Sequence, residues 1–218
     1  MGEANTSLNY IVVEGPIGAG KTTLARRLAK SIQAELVLEK PEENPFLERF
    51  YDDPKRTALP VQLSFLLQRS RQLVELRQSS LFHSIRVADF MIEKDRIFAQ
   101  LTLQDDEFEL YEQLYWKYFS DRLIPDLVIY LQAPAGVLRD RVNQRGINYE
   151  KKIGMIYLQQ LSDAYARFFH YYDTSPLLII NAEAIDFANN EKDYAALLAK
   201  IQSVRSGRCY FNPLAEAI

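Results

Sequence analysis

Nine residues, Gly15-Pro16-Ile17-Gly18-Ala19-Gly20-Lys21-Thr22-Thr23, have the side chains and spacing needed to hold a polyphosphate. They spell G-x-x-x-x-G-K-T between an apolar run, Tyr10 to Val13, and a helix-forming stretch that begins near Lys21. Gly15, Gly18 and Gly20 let the backbone bend tightly and turn its N–H groups toward an anion, and the helix that follows adds the positive end of its dipole. Lys21 supplies a mobile charge for β and γ phosphates. Thr22 offers a hydroxyl oxygen to Mg²⁺, an ion that keeps most of its waters and takes few protein ligands. The motif implies nucleoside triphosphate binding.

Moving a phosphoryl group also requires a proton acceptor for the attacking hydroxyl and cations for the charge that develops. Carboxylates close three apolar runs: Glu14, Glu39 and Asp89. A charge in that position also marks a chain that has simply reached water, and Glu14 is read that way. Glu39 and Asp89 are candidates for chemistry. The cations come from Leu138-Arg139-Asp140-Arg141-Val142-Asn143-Gln144-Arg145-Gly146, where Arg141 and Arg145 are four apart on one helical face and Gly146 ends the helix. Arginines in a last turn also complement the helix dipole. Here they suit a lid that closes on the transferring group.

The elements that position these residues alternate between short apolar runs and longer amphipathic ones, the pattern of parallel strands joined by helices. Five strands are expected, at Tyr10–Glu14, Glu35–Glu39, Ile85–Asp89, Leu127–Leu131 and Leu177–Ile180. Helices are expected over Lys21–Gln33, Leu59–Arg77, Asp95–Leu103, Glu107–Phe119, Ala135–Gln144, Ile153–Tyr172 and Lys192–Arg205. The fold class is α/β, a parallel sheet with helices on both faces. In such a sheet ligands gather beyond the carboxyl ends of the strands. With 218 residues and no internal repeat or linker, one domain over residues 1–218 is expected, with a loosely held tail from Gly207 to Ile218.

Composition narrows the partners. Twenty-six Lys and Arg against 29 Asp and Glu leave a net charge of −3, which disfavours a nucleic-acid polymer as partner. One cysteine, Cys209, excludes an internal disulfide and suits a reducing compartment. Neither a long apolar run nor a cationic, apolar start is present, so a cytoplasmic protein without a membrane partner is expected. His83 and His170 lack metal-binding spacing.

From about Asn9 to Tyr172 the residues resemble the deoxynucleoside kinases, in particular their bacterial deoxyadenosine/deoxyguanosine kinase branch. The resemblance is carried by GPIGAGKTT and by a strand ending in glutamate followed by N-P-F-L-E-R-F-Y. It implies a P-loop kinase fold with an arginine-bearing lid, ATP and Mg²⁺ as cofactors, and a homodimer paired through helices such as Leu59–Arg77 and Glu107–Phe119. It makes Glu39 the base that takes the 5′-hydroxyl proton, with Glu42 as the fallback, since the proline of the family's E-P-V is displaced to Pro41. It assigns Gln62, Phe65 and Arg69 to the nucleobase, with Asp95 beside Arg69. Tyr51 and Glu150 are assigned to the sugar 3′-hydroxyl, Asp89 with Thr22 to Mg²⁺, and Lys21, Arg141 and Arg145 to the transferring phosphoryl group. Two family arginines are absent, replaced by Phe90 and Ile147. Arg86 and Lys94 are the candidates to replace the first.

The implied reaction is ATP-dependent phosphorylation of a deoxynucleoside, deoxyadenosine or deoxyguanosine favoured, at its 5′-hydroxyl. A nucleoside monophosphate kinase of the thymidylate type is the alternative, and so is a nucleotide-binding regulatory module with impaired turnover.

Overall fold

A computed structural model describes residues 8–79 and 85–213; His83 falls outside them. The chain runs β1 (Tyr10–Glu14), α1 (Lys21–Ser31), β2 (Glu35–Val37), α2 (Leu47–Asp52), α3 (Pro54–Ser79) and β3 (Arg86–Ala88). It continues with α4 (Lys94–Thr102), α5 (Asp105–Phe119), β4 (Leu127–Gln132), α6 (Ala135–Arg145), α7 (Met155–Tyr171), β5 (Leu177–Asn181), α8 (Glu191–Ser203) and β6 (Arg208–Phe211). All neighbouring strands pair in parallel, in the order β2-β3-β1-β4-β5-β6. The register sets Val12 against both Ala88 and Val128.

β1 has β3 on one side and β4 on the other, so the chain switches direction across the sheet at β1. The crevice beyond that strand's carboxyl end is where such folds bind ligands. Helices cover both faces, which explains why Ile11 to Val13 of β1 and Leu127 to Leu131 of β4 run apolar without alternating. One face packs Leu24 and Leu28 of α1, Leu138 of α6 and Leu197 of α8 on the sheet. The other packs Ile97 of α4 and Leu161, Tyr165 and Phe169 of α7 on Val12 and Tyr130, with the Tyr130 and Phe169 rings stacked 4.3 Å apart. Outside this layer, α3 and α5 join through Leu66, Leu73, Tyr111 and Phe119.

The sheet has six strands where five are expected. The sixth lies inside the stretch read as a loose tail: β6 pairs with β5, placing Cys209 beside Leu178 and burying Phe211. With one of its four residues buried and an apolar run of only Cys209-Tyr210-Phe211, this edge strand is too short to announce itself, yet it covers backbone groups of β5 that would otherwise be an open edge. The second and third strands end at Val37 and Ala88, so Glu39 and Asp89 stand in the turns just beyond them. Helix α2 was not expected, since six residues are too few to show a helical period. Helix α3 starts at Pro54, five residues before the expected Leu59, because proline suits a first turn whose N–H groups have no partners anyway. No helix among the described residues is long and apolar enough to cross a membrane.

Candidate active site

The phosphate loop connects β1 to α1. Gly18 and Gly20 adopt φ of +85° and +98°, which side-chain-bearing residues rarely do. A Cβ on Gly18 would lie 2.6 Å from the Leu138 carbonyl oxygen, so glycine there also lets α6 approach the loop. Lys21 donates to the carbonyls of Gly15 at 2.7 Å and Pro16 at 3.2 Å. Burial, reinforced by the positive charge of Lys94, lowers its ammonium to about 8 against the pull of Glu14, Glu39 and Asp89.

Asp89 ties the loop to the opposite wall. One of its oxygens accepts from Thr22 Oγ1 at 2.5 Å and the other from the Glu39 amide at 2.7 Å. A hydroxyl and a carboxylate beside a phosphate loop are hard oxygen donors, the set that Mg²⁺ takes alongside its waters. No cluster of three or more His, Cys, Asp or Glu side chains suited to a metal occurs among the described residues.

Across the cleft, Glu39 receives Arg69 Nη2 at 2.6 Å on one oxygen and the Lys94 ammonium on the other. Burial alone would raise this carboxyl; Lys94 and Arg69 override burial and hold it at about 2. Arg69, 2% exposed, also donates through Nε to Asp95 at 2.7 Å, and its guanidinium lies between the rings of Phe65 and Phe90. Arg69 Nη1 and Asp95 Oδ2 are buried without hydrogen-bond partners. Gln62, also buried, donates to Thr102 Oγ1 at 3.2 Å. Gln62, Phe65, Arg69 and Asp95 all line the cleft that holds Lys21, Thr22, Glu39 and Asp89. Tyr51 and Glu150 complete its rim, with Tyr51 stacked on Tyr149 and Glu150 held by Arg145 at 2.6 Å.

On the other side of the loop a second cleft is lined by Gly18, Gly20, Lys21, Thr22, Thr23, Arg141, Arg145 and the turn Ile185 to Asn189. Arg145 borders both clefts. Arg141 donates to the carbonyls of Ala19 at 3.3 Å and Ala182 at 2.6 Å, so it braces the phosphate loop against the end of β5.

Other sequence expectations need correcting. Glu14 is not at the water's edge: it is 0% exposed, accepts from the amides of Gly15 and Met91 and from Tyr165 Oη at 2.8 Å, and burial raises its carboxyl. Glu42 sits exposed on the turn Pro41–Glu43, away from the cleft, which removes it as the fallback. Of the two candidates to replace the arginine missing at Phe90, Lys94 reaches the site, whereas Arg86 donates to the Leu76 carbonyl at the far end of β3. Asp186 and Phe187 also line the second cleft, and their position past the carboxyl end of β5 is the sequence signal they share with Glu39 and Asp89.

Comparison with known proteins points to one family. A family model described as deoxynucleoside kinase matches residues 11–205. The deoxyguanosine kinase of Bacillus subtilis is 34% identical over 89% of this chain and 97% of its own length. The deoxyadenosine/deoxycytidine kinase of the same organism is 29% identical over 90% and 93%. Among solved structures, M. mycoides deoxyadenosine kinase with bound dATP superimposes with a TM-score of 0.78 at 27% identity, covering 88% of this chain and 98% of that one.

Proposed function

Because this chain belongs to the deoxynucleoside kinase family, and is thus an enzyme that phosphorylates deoxynucleosides, we propose that it moves the γ-phosphoryl group of ATP to the 5′-hydroxyl of a purine deoxynucleoside. The observation that carries this reading is one continuous cleft, with Lys21 and Thr22 of the phosphate loop at one end and Glu39, Gln62, Arg69 and Asp95 at the other.

In this reading the loop amides and Lys21 hold the donor phosphates, with Arg141 keeping the loop in place. Glu39 accepts the proton of the acceptor hydroxyl. Tyr51 and Glu150 orient the sugar through its 3′-hydroxyl. Arg145, at the junction of the two clefts, faces the charge that develops between donor and acceptor. Thr22 and Asp89 would hold Mg²⁺, which when bound neutralises charge on the β and γ phosphates. The unpaired Arg69 Nη1 offers a donor and Asp95 Oδ2 a further polar atom, and Gln62 adds a donor and an acceptor. A base that pairs with these buried groups is selected strongly over one that leaves them unpaired. The purine preference is supported by the deoxyguanosine and deoxyadenosine kinases among the relatives.

Exposed Leu67 and Val74 on α3 and Leu110 and Trp116 on α5 support pairing of two copies through these helices. An unpaired Cys209 supports a reducing cytoplasm as the setting.

The test is to supply ATP and Mg²⁺ with each of the four deoxynucleosides and, separately, dTMP. Deoxyguanosine or deoxyadenosine is expected to be converted fastest, to its monophosphate with one ADP formed. Faster consumption of dTMP would favour a monophosphate kinase, against which the placing of Tyr51 and Glu150 in the acceptor cleft argues, since that pair suits a bare sugar.

A further inference from the structure

Lys94 opens α4 and is 6% exposed. Removing an ammonium from water is costly, and a buried ion pair often contributes no more stability than apolar side chains of the same volume. Its position is nonetheless specific. Of its three N–H donors, one reaches Glu39, and the other two have no acceptor among the described residues. The ring of Phe98 lies 5.5 Å from the ammonium, which shares the cleft with Lys21 and Thr22.

The backbone beneath Lys94 is fixed as well. Its amide donates to the Met91 carbonyl at 3.3 Å, and the Met91 amide donates to the buried Glu14 at 2.9 Å. Through its other oxygen, Glu14 accepts from the amide of Gly15, the first residue of the phosphate loop, at 3.1 Å. One buried carboxylate thus sets the spacing between the phosphate loop and the turn that carries Lys94.

We propose that Lys94 is the acceptor-site cation of this enzyme: it orients Glu39, and its two spare N–H groups contact the oxygens of the γ-phosphoryl group during transfer. The proposal rests on the reading of Glu39 and Lys21 as the acceptor and donor sides of the reaction. In the step, a bond forms between the 5′-oxygen and the γ phosphorus while the bond to the β–γ bridging oxygen breaks, its electron pair staying with ADP. The hydroxyl proton passes to Glu39. Lys94 neither gains nor loses a proton; it stabilises charge spread over the transferring group.

The experiment is steady-state kinetics on the full chain and on Lys94→Met and Lys94→Arg, with ATP, Mg²⁺ and the preferred deoxynucleoside, alongside thermal melts and ATP titrations. Lys94→Met is expected to lower kcat by about a hundredfold or more while KM for the nucleoside and affinity for ATP change by less than about threefold, because the contact is made in the transition state. Lys94→Arg, which keeps the charge, is expected to retain turnover within about tenfold of the parent. A folded Lys94→Met with unchanged kcat, or one that raises KM alone, overturns the proposal. If Lys94→Met does not fold, Lys94→Arg decides: a loss of about a hundredfold or more in a folded variant overturns it too. A parent protein that phosphorylates no deoxynucleoside would overturn the underlying reading instead.

Discussion

At Arg69 one guanidinium serves two carboxylates, Glu39 just beyond β2 and Asp95 on α4, and the two respond in opposite directions. Glu39 has Lys94 as a second cation and is pulled down to about 2. Asp95 has Arg69 as its one ion-pair partner among the described residues; burial, aided by the charges of Glu39 and Glu14, raises it to about 7. A carboxyl whose folded value lies above its ordinary 3.8 binds its proton more tightly in the folded chain. It therefore favours folding fully below pH of about 4, and that contribution is lost as pH rises through about 7. Asp95→Asn removes this dependence. Between pH 5 and 8 the melting temperature of the variant is expected to fall less steeply than that of the parent, the slope removed being at most about 1.4 kcal/mol per pH unit. Parallel curves for the two proteins would show that Asp95 stays ionised throughout.

Among the elements, the phosphate loop is the most tightly constrained. Gly18 combines a φ of +85° with the Leu138 carbonyl where a Cβ would go, so Gly18→Ala must strain the loop, push α6 away, or do both. The expected cost is about 2 kcal/mol or more, a fall of roughly 4–8 °C in melting temperature for a chain of this size, together with loss of the stabilisation that ATP gives. A variant that melts like the parent and still responds to ATP would contradict this placement. The loop was fully legible in the sequence because its chemistry is local: glycines, lysine and threonine at fixed offsets between a strand and a helix. Strands β1, β4 and β5 were legible from apolar runs buried on both faces, and β2 and β3 from shorter apolar stretches. Strand β6 was not, since a covered edge needs only one or two buried side chains. The positions of Glu14 and Lys94 were also hidden. A lone charge at the end of a run reads the same whether the next turn enters water or folds beneath another strand's loop, and which occurs depends on contacts such as Glu14 with Met91, 77 residues away.

At the scale of the whole molecule, the reversal of strand order at β1 brings together segments far apart in the chain. The phosphate loop follows β1, Glu39 follows β2, Asp89 follows β3, and Gln62, Phe65, Arg69 and Asp95 stand on α3 and α4. In the proposed reading donor and acceptor thus meet at a crevice whose halves are built from different parts of the sequence, and the halves should be separable by mutation. Glu39 touches only the acceptor half and the carboxylate Asp89 that links the two, through its amide rather than its side chain. The decisive measurement is single-turnover transfer from γ-labelled ATP by Glu39→Gln, with ATP affinity determined on the same sample. The expected result is transfer slowed by about a hundredfold or more with ATP affinity within about twofold of the parent. Transfer at the parental rate would mean that the proton leaves by another route and that this crevice does not work as described.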